Sequence, residues 1–388
     1  MSARAAAALA LAATVLAAGC GSTTTPTAPG PAAEAPPGGT PFLATSLTTA
    51  TGTWAIAVMG GSAASHNNFW QLFERPAGSS RWKLVTPPGV ADNGGLVAAG
   101  TGGQSLITAI RPSQFLTFTP LAETSDGGQA WSPLSPLGAA LASSPDALAA
   151  APGTGHLLAL LTSGTAELAA PGYTRWTTLA SRRTLAATPA GRRCGLANLT
   201  AATFTPSGVP LLAGTCHRPG AVGIFAARRG TWQAAGPALP GTLARQPITV
   251  LRLTRTAAGP AALLQAGSGP AATLLAAWSA DGGARWALSP PVRLGGARLA
   301  SASFGPAAAA AIVLTGNQGQ VITGPGARWR SLPALPAGTA ALAPGTANGY
   351  TALAVHGTRL AVWQLGAGPA TWRATQVMTV PVQFGSSS

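Results

Sequence analysis

Seven tryptophans recur through this chain at one spacing, and that spacing restricts the fold more than any other feature. Aligning GSSRWKLV, SDGGQAWSPL, PGYTRWTTL, RRGTWQAA, ADGGARWALS, PGARWRSL and GPATWRAT puts Trp82, Trp131, Trp176, Trp232, Trp286, Trp329 and Trp372 in register, with gaps of 49, 45, 56, 54, 43 and 43 residues. A unit of that length holds four short strands with their turns, and exceeds the roughly 20 to 34 residues of leucine-rich, ankyrin or tetratricopeptide repeats. The second unit shows the grammar: GGLVAAGTG, QSLITAIRP, QFLTFTPLAE and WSPLSPLG are four β-type runs separated by Gly, Pro and Ser. Seven such units run from about residue 41 to 384 and leave only a tail at 385–388. The spacing predicts an all-β, seven-bladed β-propeller with four antiparallel strands per blade, each tryptophan marking an outermost strand.

Composition agrees. The 388 residues include 50 Gly and 34 Pro, which break long helices, yet 47% are hydrophobic and 11 are Trp, which separates the chain from disordered sequences. A repeat fold of this size forms one domain without a second core. The formal charge of +15 comes almost wholly from arginine, since Lys83 is the one lysine. Those arginines are dispersed along the chain rather than gathered on one helix, which argues against nucleic acid and for either an anionic envelope polymer or a scattered solvated surface.

The N-terminus reads as an export signal. Met1 to Arg4 is a short basic region, and Ala5 to Ala18 is apolar but too short to span a bilayer permanently. Leu16-Ala17-Ala18-Gly19-Cys20 resembles a bacterial lipobox, which implies a signal peptide over 1–19, lipidation of Cys20 and anchoring to the outer face of the cytoplasmic membrane. Residues 20–40 are rich in Thr, Pro and Ala without apolar periodicity and read as a flexible tether.

Two further cysteines, Cys194 and Cys216, flank the turn sequence Thr205-Pro206-Ser207-Gly208. In an oxidising compartment they predict a disulfide. Metal binding is the rival, but His66, His156, His217 and His356 show no ligand spacing, and neither metal nor cofactor is expected.

Two turns are distinctive. Thr124-Ser125-Asp126-Gly127-Gly128-Gln129-Ala130-Trp131 and Ser279-Ala280-Asp281-Gly282-Gly283-Ala284-Arg285-Trp286 resemble the Asp-box, Ser/Thr-x-Asp-x-Gly-x-x-Trp, of the sialidase-like propellers. The other five units keep a small residue and the Trp but lack the Asp. The resemblance implies a structural hairpin between third and fourth strands, opened by Thr124 and Ser279: Asp126 and Asp281 as acceptors of turn amides, Gly128 and Gly283 at positive φ, Trp131 and Trp286 as covers. Propellers of this kind include sialidases and other glycosidases, photosystem assembly factors and receptor ectodomains, so the fold does not choose a function.

Residues for chemistry are scarce. A glycosidase needs paired carboxylates, or a Tyr with a carboxylate, around one sugar. Outside the tether and the two turns only Glu74, Asp92, Glu123, Asp146 and Glu167 remain, and Glu74, Glu123 and Glu167 fall near the ends of third strands, at the rim. No catalytic residue is assigned. A ligand face is expected where second-to-third-strand loops and blade-to-blade links meet, bringing Arg111, His217 and Arg218 together with Arg182, Arg183, Arg192 and Arg193, which suit an anionic partner. The sequence therefore reads as a monomeric, membrane-anchored binding or scaffold protein of the cell envelope, with an envelope protein or anionic glycan as partner. The alternatives are a divergent exo-glycosidase of the sialidase-like class and an assembly factor for a membrane complex.

Overall fold

The computed structural model describes residues 44–48, 52–60, 68–76, 78–87, 96–102, 105–110, 121–134, 145–305, 309–344, 349–366 and 371–380. The expected signal peptide, tether, Cys20 and Arg111 lie outside them. Among the described residues the strands follow one another in antiparallel runs of four. The first run is β1 (Ala44–Thr48), β2 (Gly52–Gly60), β3 (Asn68–Pro76) and β4 (Lys83–Leu84). The second is β5 (Leu96–Gly102), β6 (Ser105–Ile110), β7 (Leu121–Thr124) and β8 (Ser132–Pro133). The third is β9 (Pro145–Ala150), β10 (Leu157–Leu161), β11 (Thr165–Ala169) and β12 (Trp176–Ser181). The fourth is β13 (Leu196–Phe204), β14 (Pro210–Cys216), β15 (Gly223–Arg228) and β16 (Thr231–Ala234). The fifth is β17 (Ile248–Thr256), β18 (Gly259–Ala266), β19 (Thr273–Trp278) and β20 (Ala287–Leu288), with a short extra strand β21 (Val292–Arg293) on β19. The sixth is β22 (Leu299–Phe304), β23 (Ala310–Leu314), β24 (Gln318–Ile322) and β25 (Arg330–Ser331). The last is β26 (Thr339–Pro344), β27 (Tyr350–His356), β28 (Arg359–Leu365) and β29 (Arg373–Thr379).

The inner strands are apolar on both faces and the fourth strands are not. β10 (LLALL), β19 (TLLAAW) and β23 (AAIVL) are buried at every position, whereas β16, β20 and β25 are mostly exposed. A strand with both faces apolar needs a cover on each side. Adjacent runs supply it. Leu72 and Val85 of the first run pack with Leu96 and Leu106 of the second; Leu158 and Leu160 of the third pack with Leu212 and Phe225 of the fourth. The last run returns to the first, where Leu353, Leu360 and Val362 pack on Ala57, Phe73 and Trp82. Across that seam the Gln376 side chain brackets Trp82, donating to its carbonyl at 2.8 Å and accepting from its N–H at 2.7 Å.

The seven repeat tryptophans stand at the start of the fourth strands: Trp82, Trp131, Trp286, Trp329 and Trp372 immediately precede one, Trp176 is its first residue and Trp232 its second. Its ring covers the boundary with the preceding run. Trp286 donates its indole N–H to the Ala235 carbonyl, Trp329 to the Pro290 carbonyl at 2.9 Å, and Trp372 to the Pro333 carbonyl at 3.4 Å. Those carbonyls all lie just beyond the fourth strand of the run before.

The two aspartate turns are built alike. Asp126 Oδ1 accepts from the Gln129 and Ala130 amides at 2.9 and 3.0 Å, while Thr124 Oγ1 accepts from Gly128 N at 2.9 Å. Asp281 Oδ1 accepts from Ala284 and Arg285 N at 3.0 and 2.8 Å, and Ser279 Oγ from Gly283 N at 2.8 Å. Gly128, at φ +79°, faces Val85 so closely that a Cβ would lie 2.5 Å from it, which only glycine avoids. These amides hold both aspartates below the ordinary carboxylate range, the Arg285 backbone N–H and then its guanidinium contributing most at Asp281, the Ala130 amide at Asp126.

Among the described residues, α-helix interrupts the succession of strands in one place. Between Trp176 and Trp232 two short helices, α1 (Arg182–Ala186) and α2 (Pro189–Cys194), fill the link into the fourth run. They lengthen a link and replace no strand, which accounts for the 56-residue gap. Cys194 accordingly ends a helix rather than a strand, and its disulfide to Cys216 joins α2 to the end of β14. Closing a loop of this size contributes about 3 kcal/mol.

Glu74 and Glu167 differ from the aspartates. Both are buried, and Oε2 of each has no hydrogen-bond partner. Burial raises both carboxyls above the usual range, with Lys83 partly opposing the shift at Glu74. A raised carboxyl favours the native state fully below its unfolded pKa and loses that benefit as pH rises through the native value. Glu74→Gln therefore raises stability at pH 7 and converges with wild type in acid, as urea titrations across pH will read; equal midpoints at pH 7 refute it. Asp281→Ala has the opposite sign: its loss of stability is full at neutral pH and fades as pH falls below the ordinary carboxylate range. Hydrogen exchange reads the local effect, with the Ala284 and Arg285 amides losing protection; unchanged exchange there would mean that the carboxylate does not hold the turn.

Candidate functional site

The link into the fourth run carries the densest exposed charge. Its backbone is fixed by capping. Ser181 and Thr184 form a reciprocal box at the start of α1, Ser181 Oγ accepting from Thr184 N at 3.1 Å and Thr184 Oγ1 from Ser181 N at 2.8 Å. Thr188 caps α2 by accepting from Gly191 N at 3.0 Å, with Pro189 in the first turn, where no N–H is needed. Gly195 ends α2 in the left-handed region at φ 62°. A Cβ on Gly191 would lie 2.1 Å from the Leu185 carbonyl, so glycine lets the two helices touch through backbone.

The two helices bury Leu185, Ala190 and Cys194 against the third and fourth runs. Arg182, Arg183, Arg192 and Arg193 remain on the outside, all exposed. The loop after β14 is bonded to the same helix end: His217 N donates to the Gly195 carbonyl at 3.0 Å and Arg218 N to the Cys194 carbonyl at 3.1 Å. Both side chains are exposed. The predicted meeting of a link with a second-to-third-strand loop is therefore present for Arg182, Arg183, Arg192, Arg193, His217 and Arg218, while Arg111 lies outside the described residues. Arg182 Nη1 donates to the Ala197 carbonyl at 3.5 Å, and Arg192 Nη1 reaches the Ala187 carbonyl, so these two are oriented over helix and strand ends.

One contributor escaped the sequence reading. Gly220 N donates to the Gln246 carbonyl at 2.8 Å, which draws the 3₁₀ turn Gly241–Arg245 against the loop and adds exposed Arg245 to the same edge. Gly220 has φ +74° and a Cβ there would meet the Ala244 carbonyl at 2.3 Å. Residues 235–247 form the next run-to-run link, so the signal in the sequence is the arginine in that link.

Neither the helices, the loop nor the 3₁₀ turn contains an acidic residue. The described acids lie elsewhere. Glu74, Glu123, Asp126 and Asp281 sit at the ends of third strands or in the hairpins that follow, on the opposite edge of their runs from the links; Glu167 is inside β11 and Asp146 begins β9. An open groove beside the second aspartate turn is walled by Trp278, Trp286, Pro260 and Pro325, but the guanidinium at its lip, Arg285, is already paired to Asp281 at 2.9 Å. Among the described residues no group of three His, Cys, Asp or Glu gathers in a metal-binding arrangement, and no helix is long and apolar enough to cross a membrane. Chemically, the link edge offers hydrogen-bond donors, positive charge and the His217 imidazole, and such a surface suits recognition of anions.

No protein-family model matches this chain, and no curated protein does. Solved structures do resemble it. YCF48 from Cyanidioschyzon merolae superposes with a TM-score of 0.53 at 13% identity, covering 84% of this chain and 96% of that one. A protein from Lactobacillus plantarum gives a TM-score of 0.53 at 10% identity, over 84% of this chain and 96% of its own. A putative 6-phosphogluconolactonase from Bacteroides uniformis gives 0.51 at 11% identity, over 86% and 98%. At these identities the likeness concerns architecture alone. With the antiparallel runs of four packed on one another, the first joined to the sixth by a parallel pairing of β1 with β22 and the fourth to the fifth by β14 with β17, it identifies the fold of this chain as a β-propeller.

Proposed function

We propose that this protein is an exported, lipid-anchored binding or scaffold protein of the bacterial envelope, which presents the α1–α2 edge of a seven-bladed ring to an anionic partner. The observation that carries this reading is the gathering of Arg182, Arg183, Arg192, Arg193, Arg218 and Arg245 on three bonded elements without an acid among them. The disulfide fixes α2 to the sheet beneath, so the arginines are displayed on a rigid base and less ordering entropy is lost on binding. Anchoring through Cys20 and the tether over 20–40 rests on the lipobox-like sequence, and the sialidase-like Asp-box identity of the turns on their motif. The packing of the last run on the first supports a ring of seven blades.

An exposed arginine cluster acts through charge and bidentate hydrogen bonds, and its grip weakens with salt. Arg192→Ser with Arg193→Ser should weaken binding to heparin or polyglutamate about tenfold, equivalent to ~1.4 kcal/mol. The opposite-edge control Arg373→Ser should leave it unchanged. Surface plasmon resonance at two salt concentrations reads both. Equal losses in the two variants would reduce the effect to net charge, and turnover of aryl glycosides by the purified chain would replace recognition with catalysis.

A further inference from the structure

A second cation, inside the sheets rather than on their edge, has no evident structural purpose. The first strands of the last four runs share one irregularity, a bulge at which a single residue is left out of the pairing. In β13 the register passes from Leu199↔Gly214 to Ala201↔Ala213, and in β17 from Val250↔Leu264 to Arg252↔Leu263. In β22 it passes from Leu299↔Leu314 to Ser301↔Val313, and in β26 from Thr339↔Ala354 to Ala341↔Leu353. The residue that resumes pairing is thus Ala201, Arg252, Ser301 or Ala341. Three of the four are small and buried. The fold at this position asks for a small side chain, and the fifth run supplies arginine.

The bulge also sets where Arg252 points. Residues paired across an antiparallel ladder share a face, so Arg252 lies on the side of Leu263, and Leu263 belongs with Leu251, Ala302 and Phe304 to the core between the fifth and sixth runs. By strand alternation Thr254 lies on the same side, opposite Ala261 of the same core. Within the last five runs, the first strands β17 and β22 stand further apart than β9 and β13, β13 and β17, or β22 and β26. Arg252 is only partly buried although Val250, Leu251 and Leu253 around it are buried. Among the described residues its side chain makes no hydrogen bond and no ion pair. Burial pulls its guanidinium down to about 10, so it stays charged at neutral pH. An uncompensated charge in such surroundings is costly, and the usual remedy is a paired anion.

We infer that Arg252, with the Thr254 hydroxyl beside it, is a binding site for a small oxyanion, a carboxylate or phosphate group that enters between the first strands of the fifth and sixth runs. The guanidinium supplies two parallel N–H donors to such a group. This site rests on the register of β17 and is independent of what the α1–α2 edge binds.

The test uses the full-length chain, with inorganic phosphate and acetate as probes against chloride at constant ionic strength, read by calorimetric titration and by the thermal midpoint. Wild type should bind at least one oxyanion and gain thermal stability from it. Arg252→Ala, which installs the residue found at Ala201 and Ala341, should lose the response while keeping or raising its stability without ligand. Arg192→Ser with Arg193→Ser should keep the response, which separates this site from the outer edge. A response to phosphate alone assigns a phosphoryl ligand; one to acetate as well assigns a carboxylate. No oxyanion response in wild type, or an equal one in Arg252→Ala, overturns the inference.

Discussion

The structure depends on tryptophans that close the boundary between one four-stranded run and the next. A run alone cannot persist in water, because its inner strands, such as LLALL in β10, are apolar on both faces. It needs a neighbour on each side. The repeat tryptophan stands at the start of the fourth strand, where the sheet is otherwise exposed, and covers the seam with the preceding run; in three runs its indole N–H also bonds a carbonyl of that run. Burying such a ring is worth roughly 2 kcal/mol or more. The contact joins different runs rather than strands of one run, so it acts on the assembly of the ring.

A design that buries three strands in four leaves charge few places to go. Only 8% of the residues are charged, and most of those described sit in fourth strands, hairpins and links. Even the acids serve backbone. Asp126 and Asp281 spend their oxygens on turn amides, and the hairpin so fixed rests its glycine on the preceding run: Gly128 on Val85, Gly283 near Ala235. The links can lengthen without disturbing a ladder. The link holding α1 and α2 has done so, and the disulfide returns the added segment to the sheet.

What was legible in the sequence follows from this division. The tryptophans gave the strand order because each performs the same task at the same place in its run, and a repeated task leaves a repeated spacing. The aspartate turns were legible because the hydrogen bonds that shape them run between residues two to four apart. The Cys194–Cys216 pairing was legible from proximity to a single hairpin. The helices were not. Ser181, Thr184, Thr188, Pro189 and Gly195 are all proper cap residues, but segments of 5 and 6 residues are too short to show a helical period. The arginines around them share an edge because strand alternation decides which loops do. Arg245 was not legible because a backbone bond from Gly220 to Gln246, which no side chain announces, brings it to that edge.

Arg252 shows a different limit. VLRLTRT reads as alternating apolar and polar residues, which assigns every other position to solvent. A bulge breaks that alternation, and no single residue announces one. Only the register reveals that Leu251 and Arg252 both turn toward the sixth run and that the matching positions hold Ala, Ser and Ala. The same residue type therefore occurs in two regimes in one molecule. Arg192 and Arg193 stand in water, where each charge is cheap and its attraction for an anion weak and screened. Arg252 stands among apolar side chains, where the charge is expensive when alone and its attraction for an anion correspondingly strong. A surface of the first kind gathers polymers by number of contacts; a single group of the second kind selects a ligand by fit.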